Sequence, residues 1–244
     1  MNKIHLSVII PAFNEEKRLS RTLLAVDKYL SEQKYGYEII VVNDGSTDNT
    51  AGITKKFSYL IKNLKLIDNK KNHGKGWVVR QGMLESEGEI RLFMDADNAT
   101  TIEHFDKMTS FFKKGYAGVI GSRDKKDVKG AEQAVAQSFF KRQLGNFGNL
   151  LIQMMAVPGI WDTQCGFKAF TGKAAESIFS RGKIDRWGFD IEALFLARKL
   201  GLKIGLIPAV WVNDPDSKVN LKGYLNTFKE LLVIRLNSIR GKYK

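Results

Sequence analysis

Short apolar runs alternate with helical stretches through the first half of the sequence. Five such runs occur, at residues 6–12, 37–43, 64–67, 89–94 and 117–121. Stretches with helical character lie between them, at residues 15–30, at residues 48–59 and from residue 75 onward. Strands that are apolar along their whole length and joined by single helices are typical of a mainly parallel sheet covered by helices on both faces. The sequence therefore predicts an α/β fold with its ligand site at the carboxyl ends of the strands.

Longer amphipathic helices distinguish the second half. The predicted elements are a loop at 122–133, an amphipathic helix at 134–155, a strand at 163–170, a helix at 190–200, a strand at 203–212 and an amphipathic helix within 218–244. In the last of these, one helical stripe is formed by Leu221, Leu225, Phe228, Leu232 and Ile239. The sequence has no internal repeat and no linker-like segment, so we expect a single domain over residues 1–244.

Charge indicates the class of partner. The 244 residues include 39 Lys and Arg against 26 Asp and Glu, a formal net charge of +13. We therefore expect an anionic partner: nucleotide phosphates, nucleic acid or a lipid surface. The single cysteine, Cys165, cannot form an internal disulfide, which indicates a reducing compartment. We expect neither a signal peptide nor a spanning helix, because no apolar run reaches the roughly 18–20 residues that a span requires.

Polar residues follow the first two predicted strands. After the first strand, Asn14 and Glu15 could form a polar rim, but taken alone this segment is better explained by a helix N-cap at Asn14. After the second strand, Asp44 could accept from a ribose hydroxyl or a base N–H, but an Asp-Gly turn with Gly45 also fits. Neither G-x-G-x-x-G after the first strand nor a P-loop motif occurs, so neither kind of phosphate loop is supported.

Two aspartates follow the fourth predicted strand. In extended backbone, residues i and i+2 point the same way, so Asp95 and Asp97 can face one site. Two such carboxylates repel each other unless a cation lies between them, and their oxygens suit Mg²⁺ or Mn²⁺ bound together with substrate phosphates. Two solvated turn residues are the alternative, but the position after an apolar strand favours a metal site.

Further candidate residues lie downstream. Asp162 fits a base or an orienting carboxylate, whereas Cys165 fits packing better than nucleophilic catalysis, because no His or Asn pattern supports a cysteine enzyme. Arg123, directly after the fifth strand, is the basic residue best placed to meet an anion. The other candidate cations are Lys75, Arg142, Arg186 and Lys218.

Taken in order, these segments resemble the inverting family 2 glycosyltransferases of GT-A fold. The matching segments of the first half are residues 7–15, 41–48, 72–76 and 95–97. In the second half, residues 119–123, 162–168 and 186–190 are similar to the polyprenyl-phosphate branch, and most of all to dolichyl-phosphate β-glucosyltransferases. The resemblance extends over nearly the whole chain.

The resemblance implies a GT-A-type nucleotide-diphospho-sugar transferase fold and an activity. A hexose, glucose from UDP-glucose, would be transferred with inversion and with the help of Mg²⁺ or Mn²⁺ to a polyprenyl or dolichyl phosphate, in support of protein glycosylation. The acceptor phosphate has a second pKa near ~6, so it is anionic at neutral pH and needs no general base. We therefore expect Asp162 to orient a cation or the donor rather than to take a proton.

The resemblance also assigns a role to each matching residue. The expected nucleotide-binding residues are Pro11, Ala12, Glu15, Asp44, Lys75 and Asp95. The expected metal ligands are Asp95 and Asp97, and the expected catalytic residues are Asp97, Asp162 and Arg123. The acceptor phosphate is expected to meet Arg123, Arg142, Arg186 and Lys218. Two features depart from the family: Ala99 stands where some relatives have a third metal ligand, and relatives have membrane-spanning segments.

Membrane contact is expected from the second half of the chain. Within one domain, residues 1–121 would bind the nucleotide sugar and residues 122–244 would face the acceptor and the membrane. Residues 218–244 contain seven Lys or Arg and one Glu, a net charge of +6. This charge favours a peripheral or monotopic enzyme on an anionic surface at the cytoplasmic side of the membrane, with a separate membrane subunit as a further partner. The alternative is that the amphipathic helices simply pack on the sheet.

Four alternative functions remain open from the sequence. A family 2 enzyme acting on a saccharide hydroxyl in surface polysaccharide synthesis would need a general base. A polyprenyl-phosphate mannosyltransferase would use GDP-mannose, and an inactive sensor would bind the sugar nucleotide only. A basic nucleic-acid-binding protein is the alternative outside this class, but Asp95 and Asp97 would lie unfavourably against a phosphate backbone. We therefore expect no nucleic-acid partner.

Overall fold

The computed structural model describes residues 3–133, 148–211 and 221–244. Its strands are β1 (Ile4–Ala12), β2 (Gly36–Asp44), β3 (Leu64–Asn69), β4 (Ile90–Met94), β5 (Gly118–Ser122), β6 (Glu132–Gln133), β7 (Phe167–Thr171), β8 (Ile204–Pro208) and β9 (Val210–Trp211). Its helices are α1 (Leu19–Ser31), α2 (Thr50–Ser58), α3 (Lys75–Glu85), α4 (His104–Lys113), α5 (residues 148–155), α6 (Gly172–Phe179), α7 (Phe189–Lys199) and α8 (Leu221–Ile239).

Seven of the strands form one sheet in the order β3-β2-β1-β4-β7-β5-β8. Neighbouring strands are parallel except at β7, which runs antiparallel to both β4 and β5. Short strands β6 and β9 pair separately. The predicted α/β fold with a mainly parallel sheet is confirmed. Because β7 is reversed, it begins at the edge where its neighbours end, and Met94 of β4 is paired with Phe167 of β7.

Alternate side chains of each strand face opposite layers of helices. Ile9 and Ile40 pack with α3, α6, α7 and α8 on one face. Val8 and Val41 pack with α1 and α4 on the other face, where α2 contributes partly buried side chains. Both faces are therefore covered, which explains why the strands are apolar at consecutive positions.

Several elements differ from the predicted ones. α1 begins at Leu19 rather than at residue 15, and its N-cap is Arg18, so the interpretation of Asn14 as a helix cap is wrong. Residues 163–166 form a turn and not the start of a strand. The strand predicted at 203–212 is divided at Ala209 into β8 and β9. α4 and α6 are short helices that the sequence pattern did not predict.

Part of the second half lies outside the described residues. The helix predicted at 134–155 is described only at residues 148–155, which are helical. Arg142 and Lys218, both expected to meet the acceptor phosphate, lie outside the described ranges, and their role stays a prediction.

Candidate active site

The carboxyl ends of the parallel strands bring the predicted site residues to one edge of the sheet. β1, β2, β4 and β5 all end there, so that Asp44, Asp95 and Arg123 lie at or just after strand ends. The segment 161–166 reaches the same edge because it precedes the reversed strand β7. The Asp95 N–H donates to the carbonyl of Gly166 in this segment at 3.1 Å.

Two loops at this edge are joined by hydrogen bonds. Asn14 lies in the left-handed region with φ of 55°, and its Oδ1 accepts from the Thr47 N–H at 2.8 Å. In return, the Asn14 N–H donates to Ser46 Oγ at 2.9 Å, and the Glu15 N–H donates to Thr50 Oγ1 at 2.8 Å. The loop after β1 is therefore fixed to the loop after β2.

The expected nucleotide-binding residues of β1 lie at the start of this loop. Pro11 and Ala12 are buried at the end of the strand. The Glu15 carboxylate accepts from both Nε and Nη2 of Arg18 at 2.8 Å. Glu15 is thus paired within the protein, and its proposed contact with a nucleotide stays a prediction.

Asp44 organises the loop that precedes α3. Its side chain is buried and accepts from the His73 N–H at 2.7 Å, the Gly74 N–H at 3.0 Å and Asn72 Nδ2 at 2.9 Å. Both carboxylate oxygens are therefore engaged by residues that lead directly into Lys75, the first residue of α3. The geometry makes Asp44 the support of this loop, and a contact with uracil or ribose would be additional.

Asp95 and Asp97 form an acidic pair beside one lysine. Lys75 Nζ lies 2.6 Å from Asp95 Oδ1, and Asp97 Oδ1 accepts from the Ala99 N–H at 3.0 Å. Burial and the neighbouring charge of Asp95 raise the pKa of Asp97. Burial alone would lower the pKa of Lys75, but the charges of Asp95 and Asp190 outweigh it and raise that pKa. The surroundings of Lys75 are therefore predominantly negative.

The acidic pair fits a hard divalent cation. Asp95 Oδ1 and Asn98 Oδ1 are buried acceptors without a hydrogen-bond partner among the described residues. The ammonium of Lys75, in an ion pair, is the group that lies next to Asp95 Oδ1. A Cβ on Gly166 would overlap the Asp95 carboxylate, so only glycine leaves that carboxylate in its place. The described ranges contain no cluster of three or more His, Cys, Asp or Glu that could hold a metal. In nucleotide sites, Mg²⁺ is typically bound by one or two protein carboxylates, and water and substrate phosphates complete its coordination.

A buried ion pair lies beneath the acidic pair. Lys168, the second residue of β7, is 0% exposed and donates from Nζ to the Asp190 carboxylate and, at 2.6 Å, to the Cys165 carbonyl. The same ammonium lies 5.4 Å from the ring centre of Phe93. Burial raises the pKa of the Cys165 thiol to about 11, which agrees with a packing role for that residue.

Arg123 and Asp162 form a second ion pair at the edge. Asp162 Oδ2 accepts from Arg123 Nε at 2.7 Å and from the Arg123 N–H at 2.8 Å, while Oδ1 accepts from Nη2 at 2.8 Å. Burial would raise the pKa of Asp162, but the guanidinium outweighs burial and lowers it. Asp95 is close enough for its charge to act on Arg123. The arginine is thus held in one orientation beside the acidic pair.

Asp127 fixes the segment that contains Asp162. Its carboxylate accepts from the N–H groups of Trp161 at 2.7 Å and Asp162 at 2.8 Å, and from Ser122 Oγ at 2.7 Å. The loop after β5 is therefore anchored to the segment before β7. The sequence offered no signal for this residue beyond one charge in a charged loop.

Arg186 lies in an exposed loop at the margin of the edge. Its neighbour Trp187 is 41% exposed, and Lys75 Nζ lies 5.6 Å from the centre of the Trp187 ring. The loop is held from α8, because Glu230 Oε2 accepts from the Gly188 N–H at 2.7 Å. Arg186 is thus accessible at the margin, and its contact with an acceptor phosphate stays a prediction.

Comparison with known proteins assigns the family. The model of the family "Glycosyl transferase family 2" matches residues 7–179, which extend from β1 to the end of α6. The chain belongs to glycosyl transferase family 2. The matched range contains the acidic pair and the Arg123–Asp162 pair, so the candidate site lies within the part of the chain that the family model covers.

Two curated relatives of this family 2 enzyme are similar over its whole length. The dolichyl-phosphate beta-glucosyltransferase of Dictyostelium discoideum is 36% identical, with 100% of this chain and 78% of the relative aligned. The Homo sapiens protein of the same name is 35% identical, with 98% of this chain and 77% of the relative aligned. The predicted resemblance to this branch is confirmed.

Solved structures confirm the predicted GT-A fold. Glucosyl-3-phosphoglycerate synthase from Mycobacterium tuberculosis, in complex with Mn²⁺, UDP and phosphoglyceric acid, superposes with a TM-score of 0.67. The match covers 96% of this chain and 78% of the synthase at 17% identity. Within the described ranges, none of the helices of this glycosyltransferase is long and apolar enough to cross a membrane.

The glycosyltransferase brings most of the expected site residues together. Those at the sheet edge are Pro11, Ala12, Glu15, Asp44, Lys75, Asp95, Asp97, Arg123 and Asp162. The sequence assigned no role to Asp127, Lys168 or Asp190. Lys168 and Asp190 end two of the segments that resemble the family, at residues 162–168 and 186–190, and Lys168 also stands within the apolar strand sequence of β7.

Proposed function

We propose that this glycosyltransferase transfers glucose from UDP-glucose to a dolichyl or other polyprenyl phosphate, with inversion and with Mg²⁺ or Mn²⁺ as cofactor. The observation that carries the proposal is the meeting of an acidic pair and an anchored arginine at one sheet edge. It occurs in a chain that is 35–36% identical over its length to dolichyl-phosphate beta-glucosyltransferases. An acidic pair suits the diphosphate of a donor, and an arginine suits the phosphate of an acceptor.

On the donor side, Asp95 and Asp97 would hold the metal, and Lys75 would meet the diphosphate. The bound metal supplies Lewis-acid stabilisation of the leaving diphosphate. The loop supported by Asp44 would position the base and ribose. In the reaction, the bond from the anomeric carbon to the nucleotide oxygen breaks, and a bond to an acceptor phosphate oxygen forms on the opposite face.

On the acceptor side, Arg123 would bind the lipid phosphate in the orientation that Asp162 gives it. The phosphate is already an anion at neutral pH, so no residue needs to remove a proton. Positioning two anions beside each other is the main requirement, and fixed positive groups meet it. In this division of the single domain, residues 1–121 serve the donor and residues 122–244 serve the acceptor and the membrane.

A transfer assay with labelled donors tests the proposal. Purified protein, Mn²⁺ or Mg²⁺ and a polyprenyl phosphate are incubated with labelled UDP-glucose or, in parallel, with labelled GDP-mannose. We expect label in the organic phase with UDP-glucose. Label in the organic phase from GDP-mannose alone would contradict the assignment of UDP-glucose as the donor. When oligosaccharides replace the lipid, formation of a water-soluble labelled saccharide would contradict the assignment of a polyprenyl phosphate as the acceptor.

We expect Asp162→Asn to lower kcat/KM for the acceptor by about 10- to 100-fold, because a displaced arginine positions the phosphate poorly. The pH–rate profile should remain flat between about pH 6.5 and 8.5. The pKa of Asp162 is lower in the folded protein than in the unfolded chain, so its contribution to stability is complete above the unfolded value of ~3.9. That contribution is lost only as the pH falls through the folded value, outside the neutral range.

Steady-state kinetics over this pH range provide the measurement. Asp124→Asn, in the loop after β5 that also contains Arg123, is the matched control, and we expect its kinetics to resemble those of wild type. A loss of thousands-fold in Asp162→Asn, or a new pH dependence that the variant removes, would mean that Asp162 acts as a base.

The outer face of α8 is where we propose contact with an anionic membrane. This face is defined by Phe228, Leu232, Leu236 and Ile239, which follow helical spacing and are between 41% and 76% exposed. The opposite side of α8 packs into the core through Leu231 and Ile234. Three of the apolar stripe residues predicted from the sequence thus face outward. The basic residues Lys229 and Arg235 lie on the same helix and Arg240 directly follows it, and their charge favours a peripheral position on anionic lipid.

We expect Leu236→Glu to weaken binding to vesicles that contain anionic lipid by about tenfold or more, because one buried leucine side chain contributes about 1.5–3 kcal/mol. Vesicle flotation gives the measurement. Leu24→Glu is the matched control, since Leu24 is an exposed leucine on α1. Equal flotation of the two variants would contradict a membrane role for α8 and would favour a separate membrane subunit.

A further inference from the structure

The position of Lys75 relative to the acidic pair suggests a function beyond contact with the donor. Its ammonium group lies 2.6 Å from Asp95 Oδ1, an oxygen that has no other partner in the described part of the chain. The lysine thus supplies to the Asp95 carboxylate the positive charge that a divalent cation would otherwise supply. Asp97, two residues away, accepts from the Ala99 N–H and has no ammonium at ion-pair distance within the described residues.

Lys75 also has a second source of negative charge nearby. Asp190 acts on its ammonium group, and Asp190 is itself held by the buried amine of Lys168. The Lys75 side chain is 22% exposed, and Lys75 is the first residue of α3. If the Lys75 ammonium left Asp95, it would therefore still lie near the carboxylate of Asp190.

We infer that Lys75 competes with the metal for Asp95 in the free enzyme and is released to the donor diphosphate when metal and nucleotide bind together. The inference rests on the proposed function, because it takes the acidic pair as the metal site. Its consequence is a thermodynamic coupling: Mn²⁺ alone binds weakly, and UDP strengthens Mn²⁺ binding by removing the competitor. A metal without a nucleotide would then seldom occupy the site.

The test is a titration with Mn²⁺ alone and with Mn²⁺ in saturating UDP, followed by the electron spin resonance signal of free Mn²⁺. In wild type we expect UDP to strengthen Mn²⁺ binding by about tenfold or more. In Lys75→Met, Mn²⁺ alone should bind about tenfold more tightly than in wild type, and the effect of UDP should shrink by the same factor. We expect the same two changes in Lys75→Gln. Unchanged or weaker binding of Mn²⁺ alone in both variants would overturn the inference.

Three control variants separate direct competition at Asp95 from a general effect of charge and from a metal bound at another place. Arg80→Met removes a second basic residue of α3, one paired with Asp185, and should titrate as wild type does. Arg18→Met removes a charge that acts on Asp97 through space, and a gain in Mn²⁺ affinity equal to that of Lys75→Met would overturn direct competition. Asp95→Asn should weaken Mn²⁺ binding. If Mn²⁺ binds Asp95→Asn as tightly as wild type, the metal lies elsewhere and the proposed metal site fails. If Asp95→Asn binds Mn²⁺ more weakly but Lys75→Met binds it as wild type does, only the competition is refuted.

Discussion

Asp97→Ala is expected to lower the rate of hexose transfer by about a thousandfold or more, which corresponds to roughly 4 kcal/mol of transition-state stabilisation. The physical reason is the charge that develops on the leaving diphosphate. With one of two carboxylates gone, the remaining Asp95 is paired with Lys75 at 2.6 Å and offers a poor site for a divalent cation. The transfer assay measures the loss, and Mn²⁺ titration should show weakened binding in parallel.

The matched control for this variant is Glu176→Ala, which removes an exposed carboxylate on α6. It should retain the wild-type rate. Because burial and Asp95 raise the pKa of Asp97, protons compete with the metal, and the Mn²⁺ affinity of wild type should weaken as the pH is lowered. Transfer by Asp97→Ala at more than a tenth of the wild-type rate would contradict the proposed metal site.

Lys168→Met is expected to lower the free energy of unfolding by about 3–5 kcal/mol, because it leaves Asp190 buried without a positive partner. Lys168 is 0% exposed and Asp190 is 4% exposed, so solvent cannot compensate the remaining carboxylate. For a chain of this size, the melting temperature should fall by roughly 10 °C. Urea unfolding and thermal unfolding both measure this effect.

The double variant Lys168→Met with Asp190→Leu provides the decisive comparison. When both charges are replaced by apolar side chains of similar size, most of the lost stability should return. Lys173→Met, at an exposed position on α6, should leave stability unchanged. A loss below about 1 kcal/mol in Lys168→Met would show that Asp190 finds another partner or takes up a proton at little cost.

Local patterns in the sequence were sufficient for the fold class and for the sheet edge at which most of the candidate residues meet. The continuous apolar runs of β1 and β2 indicate burial on both faces, and parallel strands place their following residues at one edge. The reversed strand β7 could not be predicted, because pairing of Met94 with Phe167 depends on the whole chain and not on local pattern. Its insertion is what brings residues 161–166 beside Asp95.

The partners of individual side chains could not be predicted from local pattern either. Arg123 and Asp162 were both expected in the site, but their three hydrogen bonds join residues 39 positions apart. Asp44 was expected to face a nucleotide, yet its oxygens accept from backbone N–H groups 29 and 30 positions away. Hydrogen bonds of this kind depend on tertiary positions that neither periodicity nor motif spacing encodes.

The central place of β7 has a consequence for the synthesis of the chain. β4 leaves the ribosome long before β7, and until residue 171 has emerged, one edge of β4 and both edges of β5 have no strand of this sheet to pair with. Unpaired strand edges attract other chains, and such partly formed sheets are prone to aggregation. The nascent protein is therefore most dependent on chaperones while residues 95–171 are being made, and slow translation there prolongs the exposure.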